Sequence, residues 1–146
     1  DLIALLYQLC DDACFEGNQT AKKVTLSTGL AEAIVASSGD LLHKSFENII
    51  RNALQHTPEE SEVRVQVIDT AGSYEVSIED CGPGVKEQDL QRIFDEFYRV
   101  DSARSRDAGG YGLGLSIAHR AIVQHGGALT AENTRKGLKV IARIPK

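Results

Sequence analysis

Apolar residues recur at helical spacing in three stretches and alternate with polar ones in several others. Leu2, Leu5, Leu6, Leu9, Cys10 and Ala13 form one stripe, predicting a helix from residue 2 to about 17. Leu42, Phe46, Ile49, Ile50 and Ala53 predict a second helix. Ser38 or Asp40 would cap it, and Pro58 fits an end near Thr57. Leu115, Ala118, Ala121 and Ile122 predict a third, from Leu113 to His125, stopped by Gly126-Gly127. Val63, Val65 and Val67 alternate, as do Tyr74, Val76 and Ile78, so two strands should form a hairpin around Ala71-Gly72-Ser73. Val24–Ser27 and Ala33–Ala36 are short strand candidates around Gly29, and Leu129–Ala131 and Val140–Ile144 close the pattern. Lys86 to Phe94 reads as a short helix. Asp95 to Gly112 is long, polar and without period, which in a compact domain suggests a functional lid. The sum is one domain over residues 1–146, a mixed sheet with helices on one face: a two-layer α/β sandwich.

Composition narrows the function classes. The 146 residues can bury one core, and 42% apolar with 25% charged residues is globular. A net charge of −5 disfavours nucleic-acid binding, which needs a basic face, and a peripheral membrane role. No apolar run approaches the roughly 18 residues of a membrane span. No secretory leader pattern is present. Cys10, Cys14 and Cys81 have no zinc-site spacing; the first two share a helix face as small apolar groups, and a reduced, cytoplasmic setting fits. The chain begins at Asp1 and contains no methionine, as expected of a piece of something longer.

Three short motifs carry the chemistry. Asn48, Asn52 and Gln55 share one side of the second helix, with His56 one turn beyond Asn52. An amide oxygen is a hard ligand suited to Mg²⁺, which also takes water and phosphate oxygens. A solvated polar helix edge fits the same spacing. Asp80 ends a strand just before Gly82-Pro83-Gly84. Its carboxylate can accept a hydrogen bond from the exocyclic amine of adenine, where guanine offers a carbonyl. The glycines let backbone approach a ring, although a plain tight turn has the same sequence. Gly110-Tyr111-Gly112-Leu113-Gly114 opens a helix, whose free N–H groups make an anion site. It does not follow a strand and lacks a Lys-Ser/Thr ending, so it is neither a Rossmann turn nor a P-loop. Arg99, Arg104 and Arg106 lie in the lid, where each could neutralise a γ-phosphate or simply be solvated. Phe94, Phe97 and Tyr98 would anchor its first end by packing.

In this order the motifs resemble the catalytic and ATP-binding domain of bacterial two-component sensor histidine kinases, a family grouped with gyrase B, the heat-shock chaperone ATPase and the mismatch-repair ATPase. Glu47-Asn48-Ile49-Ile50-Arg51-Asn52-Ala53 resembles the asparagine box, and Asp80-x-Gly82-x-Gly84 the first glycine box. Phe94-Asp95-Glu96-Phe97-Tyr98-Arg99 resembles the phenylalanine box, and Gly110-x-Gly112-Leu113-Gly114-Leu115 the second glycine box. The resemblance runs from about Leu41 to Pro145.

The resemblance implies a Bergerat-type fold: a mostly antiparallel mixed sheet on about three helices, with a mobile ATP lid. It implies that Asn52 binds Mg²⁺ with Asn48 in support, and that Gln55 and His56 lie near the phosphates. Asp80 would read the adenine amine, with Gly82, Gly84 and Val85 lining the adenine pocket. Tyr98 and Arg99 would cover the nucleotide's edge, with Arg104 a further phosphate contact, and Gly110, Gly112, Leu113, Gly114 and Leu115 would underlie the triphosphate. Asn48, Asn52 and Arg99 would be the catalytic set. The γ-phosphoryl would pass to a histidine on a separate dimeric helical domain, since His43, His56, His119 and His125 lie outside any phosphoacceptor context. A response regulator would act downstream, and the domain would be the cytoplasmic part of an inner-membrane receptor, without membrane contact of its own.

Relatives that hydrolyse ATP carry Glu one turn before the metal-binding Asn; here that position is Asn48, which cannot act as a base. This favours transfer to a nucleophilic imidazole over hydrolysis. Many members place Gly-Thr near the last strand, where this chain has Gly137-Leu138-Lys139. Phe97 to Arg104 resembles the envelope-stress subtype. A standalone ATPase and a nonenzymatic ATP-dependent switch are the alternatives.

Overall fold

A computed structural model describes residues 1–17, 21–96 and 114–146. In chain order these form helix α1 (Leu2–Gly17), strand β1 (Lys23–Thr28), helix α2 (Gly39–His56), strands β2 (Glu62–Thr70) and β3 (Ser73–Glu79), helix α3 (Gly114–Gln124), and strands β4 (Ala128–Asn133) and β5 (Leu138–Pro145). The sheet has five strands in the order β1-β2-β3-β5-β4. Only β1 and β2 run parallel, with Val24 opposite Val63, and α2 is the crossover such a pair requires. The other pairs are antiparallel.

Alternation builds the core. Val65 pairs with Ile78 and Val67 with Val76, and these continue across to Val140 and Ala142. All six are buried on the face that receives Phe46, Ile49 and Ile50 of α2 and Ala118 and Ile122 of α3. The opposite face is polar, with Arg143 Nε donating to Glu75 Oε2 across paired strands at 3.1 Å. The two-layer α/β sandwich expected from the sequence is what forms. Gly72, at φ +82°, makes the β2–β3 turn.

Local expectations were corrected in three places. Ala33–Ala36 is not a strand. Ala33 is fully buried and closes the start of α1: its N–H donates to Asp1 Oδ1 (3.0 Å) and its carbonyl accepts from Leu2 (2.8 Å). Asp1 Oδ1 also accepts from Ile3, so these backbone groups serve a helix cap instead of a ladder. Lys86–Phe94 is not one helix but two single 3₁₀ turns, Glu87–Asp89 and Arg92–Phe94. Ile93 is its one fully buried apolar side chain, too little packing to hold a short α-helix. Ser38 does stand at the α2 N-cap, but without a side-chain cap bond. Its N–H instead donates to His125 Nε2 at 3.1 Å, and His125 Nδ1 bonds the Ala121 carbonyl at 2.7 Å. The imidazole thus joins the start of α2 to the end of α3.

The cysteines are free thiols. Burial pushes the Cys10 thiol up to about 12, as an inert core group. Cys14 is half-buried and more polar than expected, with Sγ donating to the Val24 carbonyl at 2.9 Å. Among the described residues no helix is long and apolar enough to cross a membrane.

Candidate nucleotide-binding site

The end of β3 delivers Asp80 to the junction of three elements. Its N–H continues the ladder to the Leu138 carbonyl at 3.0 Å, and the residue is 2% exposed. Oδ1 accepts from Gly82 N–H at 2.8 Å and from Leu138 N–H at 3.2 Å. Burial pushes the Asp80 pKa above the ordinary carboxylate value; the bonds from Gly82 and Leu138 and the nearby His56 oppose that rise.

The turn that follows lies against the end of α2. A Cβ on Gly82 would come within 2.5 Å of the His56 carbonyl oxygen, so only glycine permits this approach. Gly84 has φ +74°, a left-handed conformation that also suits glycine. Val85 is buried, with its N–H bonded to Asn133 Oδ1 at 2.9 Å.

Asn48 and Asn52 are half-buried on α2, and Gln55 and His56 are exposed nearer its end. The first residue of α3 packs on the same helix: a Cβ on Gly114 would lie 3.8 Å from Asn48 Cβ. Leu115 is partly buried against the core. The fold therefore brings Asn48 to Gly114, and Asp80 and Gly82 to the His56 end of α2. Tyr98, Arg99, Arg104, Arg106, Gly110, Gly112 and Leu113 lie outside the described residues. At the lid's near edge, Phe94 stacks on His119 of α3 with ring centroids 5.3 Å apart, the packing role expected of it.

Glu47 faces away from the amides. It reaches Arg51 Nη1 at 3.7 Å and lines a cavity of about 320 Å³ between α1 and α2 with Leu9, Asp12 and Glu16. That cavity takes in Glu47, Ile50 and Arg51 but neither Asn48 nor Asn52, and no residue of the glycine motifs.

Three neighbours went unremarked in the sequence or lacked a role there. Thr57 Oγ1 accepts the Cys81 N–H. Asn133 grips Val85 from the end of β4. Gly137 is so close to Asp80 that a Cβ would fall 2.5 Å from Oδ1. Gly137-Leu138 reaches the carboxylate through backbone, so a leucine in place of threonine keeps that contact. Backbone contacts leave no side-chain signature, although the glycine itself was a signal.

Chemically, the arrangement offers a buried acceptor and glycine backbone at one end of α2, and half-buried amide oxygens further along it beside a helix N-terminus. Residues 37–146 match the family described as histidine kinase-, DNA gyrase B-, and HSP90-like ATPase, and the chain belongs to that family of ATP-binding domains. Within it, the chain is similar to sensor histidine kinase CpxA of Escherichia coli (strain K12), at 37% identity over 139 residues covering 94% of this chain and 30% of CpxA. The nucleotide-free catalytic domain of histidine kinase ThkA superposes with a TM-score of 0.88 at 25% identity, covering 99% of this chain and 92% of that one. ThkA in complex with response regulator protein TrrA matches at a TM-score of 0.85 and 23% identity, covering 100% of this chain and 40% of that one. The chain thus spans under a third of CpxA's length, and the part it spans is the catalytic-domain fold of sensor histidine kinases.

Proposed function

We propose that this domain, over residues 1–146, binds ATP with Mg²⁺ and presents the γ-phosphoryl to a histidine on a separate helical domain of the same sensor kinase, which then serves a response regulator. The kinase would sit in the inner membrane with this domain in the cytoplasm. The observation that carries the reading is the buried Asp80. Both amide donors fall on Oδ1. Among the described residues no donor reaches Oδ2, which leaves an acceptor for the adenine amine, while Gly82, Gly84 and Val85 supply backbone beside the ring. Asn48 and His56 are eight residues apart, about 12 Å along the helix axis, a span suited to a ligand with a purine at one end and phosphates at the other.

Asn52 fits magnesium through its amide oxygen, a hard donor, with Asn48 in support. Bound there, the ion would neutralise charge on the β- and γ-phosphate oxygens. Gly110, Gly112, Leu113, Gly114 and Leu115 would present the α3 N-terminus to the phosphates near Asn48. Gln55 and His56, expected from the resemblance to lie near the phosphates, stand at the Asp80 end of α2, and His56 would border the purine. Tyr98, Arg99 and Arg104 would close over the nucleotide, Arg99 stabilising charge at transfer. Asn48 cannot take a proton from water, and Glu47 is turned to the other side of α2, so the site orients ATP without activating water. Positioning and charge then supply the catalysis.

Support for the kinase reading comes from CpxA, itself a sensor histidine kinase; support for the partner comes from ThkA, solved with TrrA. The test combines the domain with the dimeric helical domain of its own full-length protein and γ-labelled ATP. Label on an acid-labile, base-stable site is expected, and steady ADP release without any such label would overturn the reading.

A further inference from the structure

Asn133 closes β4 and is exposed, yet both ends of its amide are bonded to the backbone of one distant residue. Oδ1 accepts the Val85 N–H at 2.9 Å, and Nδ2 donates to the Val85 carbonyl. One side chain thus satisfies both polar groups of Val85, as a neighbouring strand would. The same amide lies over Gly84, where a Cβ would come within 2.7 Å of Asn133 Oδ1.

The turn that follows Asn133 is itself held. Thr134 N–H donates to the Gly137 carbonyl at 2.8 Å, and Thr134 Oγ1 accepts from Lys136 and Gly137 N–H at 3.2 Å each. Four residues beyond Thr134, Leu138 N–H holds Asp80 Oδ1. The β4–β5 hairpin therefore grips the 80–85 segment at both ends, Leu138 at the carboxylate and Asn133 at Val85. Between the grips, the Cys81 N–H is held by Thr57 Oγ1, the Gly82 N–H by Asp80 Oδ1, and Pro83 has no N–H to donate.

We infer that Asn133 is a positioning residue for purine recognition: it fixes Gly84 and Val85 relative to Asp80 and so sets the preference for adenine over guanine. This rests on the proposed nucleotide function. A purine is discriminated by an acceptor and a backbone edge held at fixed separation. Freeing Val85 lets that edge move while Asp80 stays anchored by Leu138. Contacts with phosphate and metal, carried by α2 and the α3 N-terminus, are untouched.

The test measures ADP and GDP binding to this chain by calorimetry for the parent, Asn133→Ala and Asn133→Asp. In Asn133→Ala, ADP affinity is expected to fall about tenfold, the order of one or two lost hydrogen bonds, with GDP affinity changed less than about twofold. Asn133→Asp keeps the acceptor for Val85 N–H but sets a carboxylate against the Val85 carbonyl, and its ADP loss should be intermediate. The magnesium dependence of ADP binding should be the same in all three. Parallel losses for ADP and GDP would mean a merely structural role and overturn the inference, as would unchanged ADP affinity in both variants. If Asn133→Ala lacks a thermal transition, Asn133→Asp decides alone on the same ADP-to-GDP ratio. A parent that binds neither nucleotide would instead sink the nucleotide reading itself.

Discussion

Thr57 Oγ1 receives the Cys81 N–H at 3.0 Å, tying the residue after the asparagine helix to the residue after the buried carboxylate. Thr57 is 2% exposed, and its hydroxyl also shares a hydrogen bond with Ser61 Oγ at 2.7 Å. The end of the helix that carries Asn48 and Asn52 is thereby tied to the strand end that carries Asp80. Thr57→Ala leaves a sheltered amide without its partner, and should lose about 1–3 kcal/mol in urea denaturation. Thr57→Ser restores the oxygen and should recover most of it. Equal stability of the alanine and serine variants would show that this bond contributes nothing.

Asp80→Asn should fold, because an amide oxygen can take both bonds now made to Oδ1. It replaces the charged acceptor, so ATP affinity should fall roughly 10- to 100-fold, the worth of a hydrogen bond to a charged group. Calorimetry with ATP checks this.

The same carboxylate sets a pH dependence. Burial raises its pKa in the folded chain, so the folded state holds more protons than the unfolded state between the ordinary carboxylate value and the raised one. The Asp80 contribution to stability therefore grows as pH falls through that window, and diminishes as pH rises through the raised value. Asp80→Asn lacks this contribution. Going from neutral to acid pH, the parent should gain stability relative to the variant in paired denaturation curves, and a gap that moves the other way would refute the burial argument.

Asn52→Ala should leave magnesium-free ATP binding close to that of the parent and abolish most of the extra affinity that magnesium confers. Titration of ATP with and without the metal separates the two. If the magnesium effect persists in full, another residue holds the ion.

Gly137→Ala should be disruptive, since its methyl would fall 2.5 Å from Asp80 Oδ1, 2.6 Å from the Asp80 carbonyl oxygen and 2.8 Å from Gly82 N. Overpacking of this kind costs about 1–3 kcal/mol and displaces the carboxylate, so stability and ATP affinity should fall together. Gly29→Ala, which meets nothing within 4 Å, is the control and should stay within about 0.5 kcal/mol.

Where side chains alternate or recur over many residues, the chain spelled out its own fold. Val63, Val65 and Val67 face the core because strand period and burial agree, and Phe46, Ile49 and Ile50 do so for a helix. Short segments were less legible. Ala33–Ala36 has strand composition, but its backbone is claimed by the cap at Asp1, a contact set by tertiary position. The same holds in the site. Asp80, Gly82 and the α2 amides stand out as residue types in a spaced order. Asn133 does not, because an asparagine before Thr134-Arg135-Lys136-Gly137 is ordinary turn sequence, and its bond to Val85 spans 48 positions.

Strand order has a consequence for synthesis. β5 is the final element of this chain, yet it lies inside the sheet between β3 and β4. Until residues 138–145 have left the ribosome, β3 exposes an open edge and β4 has no neighbour. Leu138, whose N–H holds Asp80 Oδ1, arrives in that same segment, so a nascent chain completes its sheet centre and the anchoring of its buried carboxylate together.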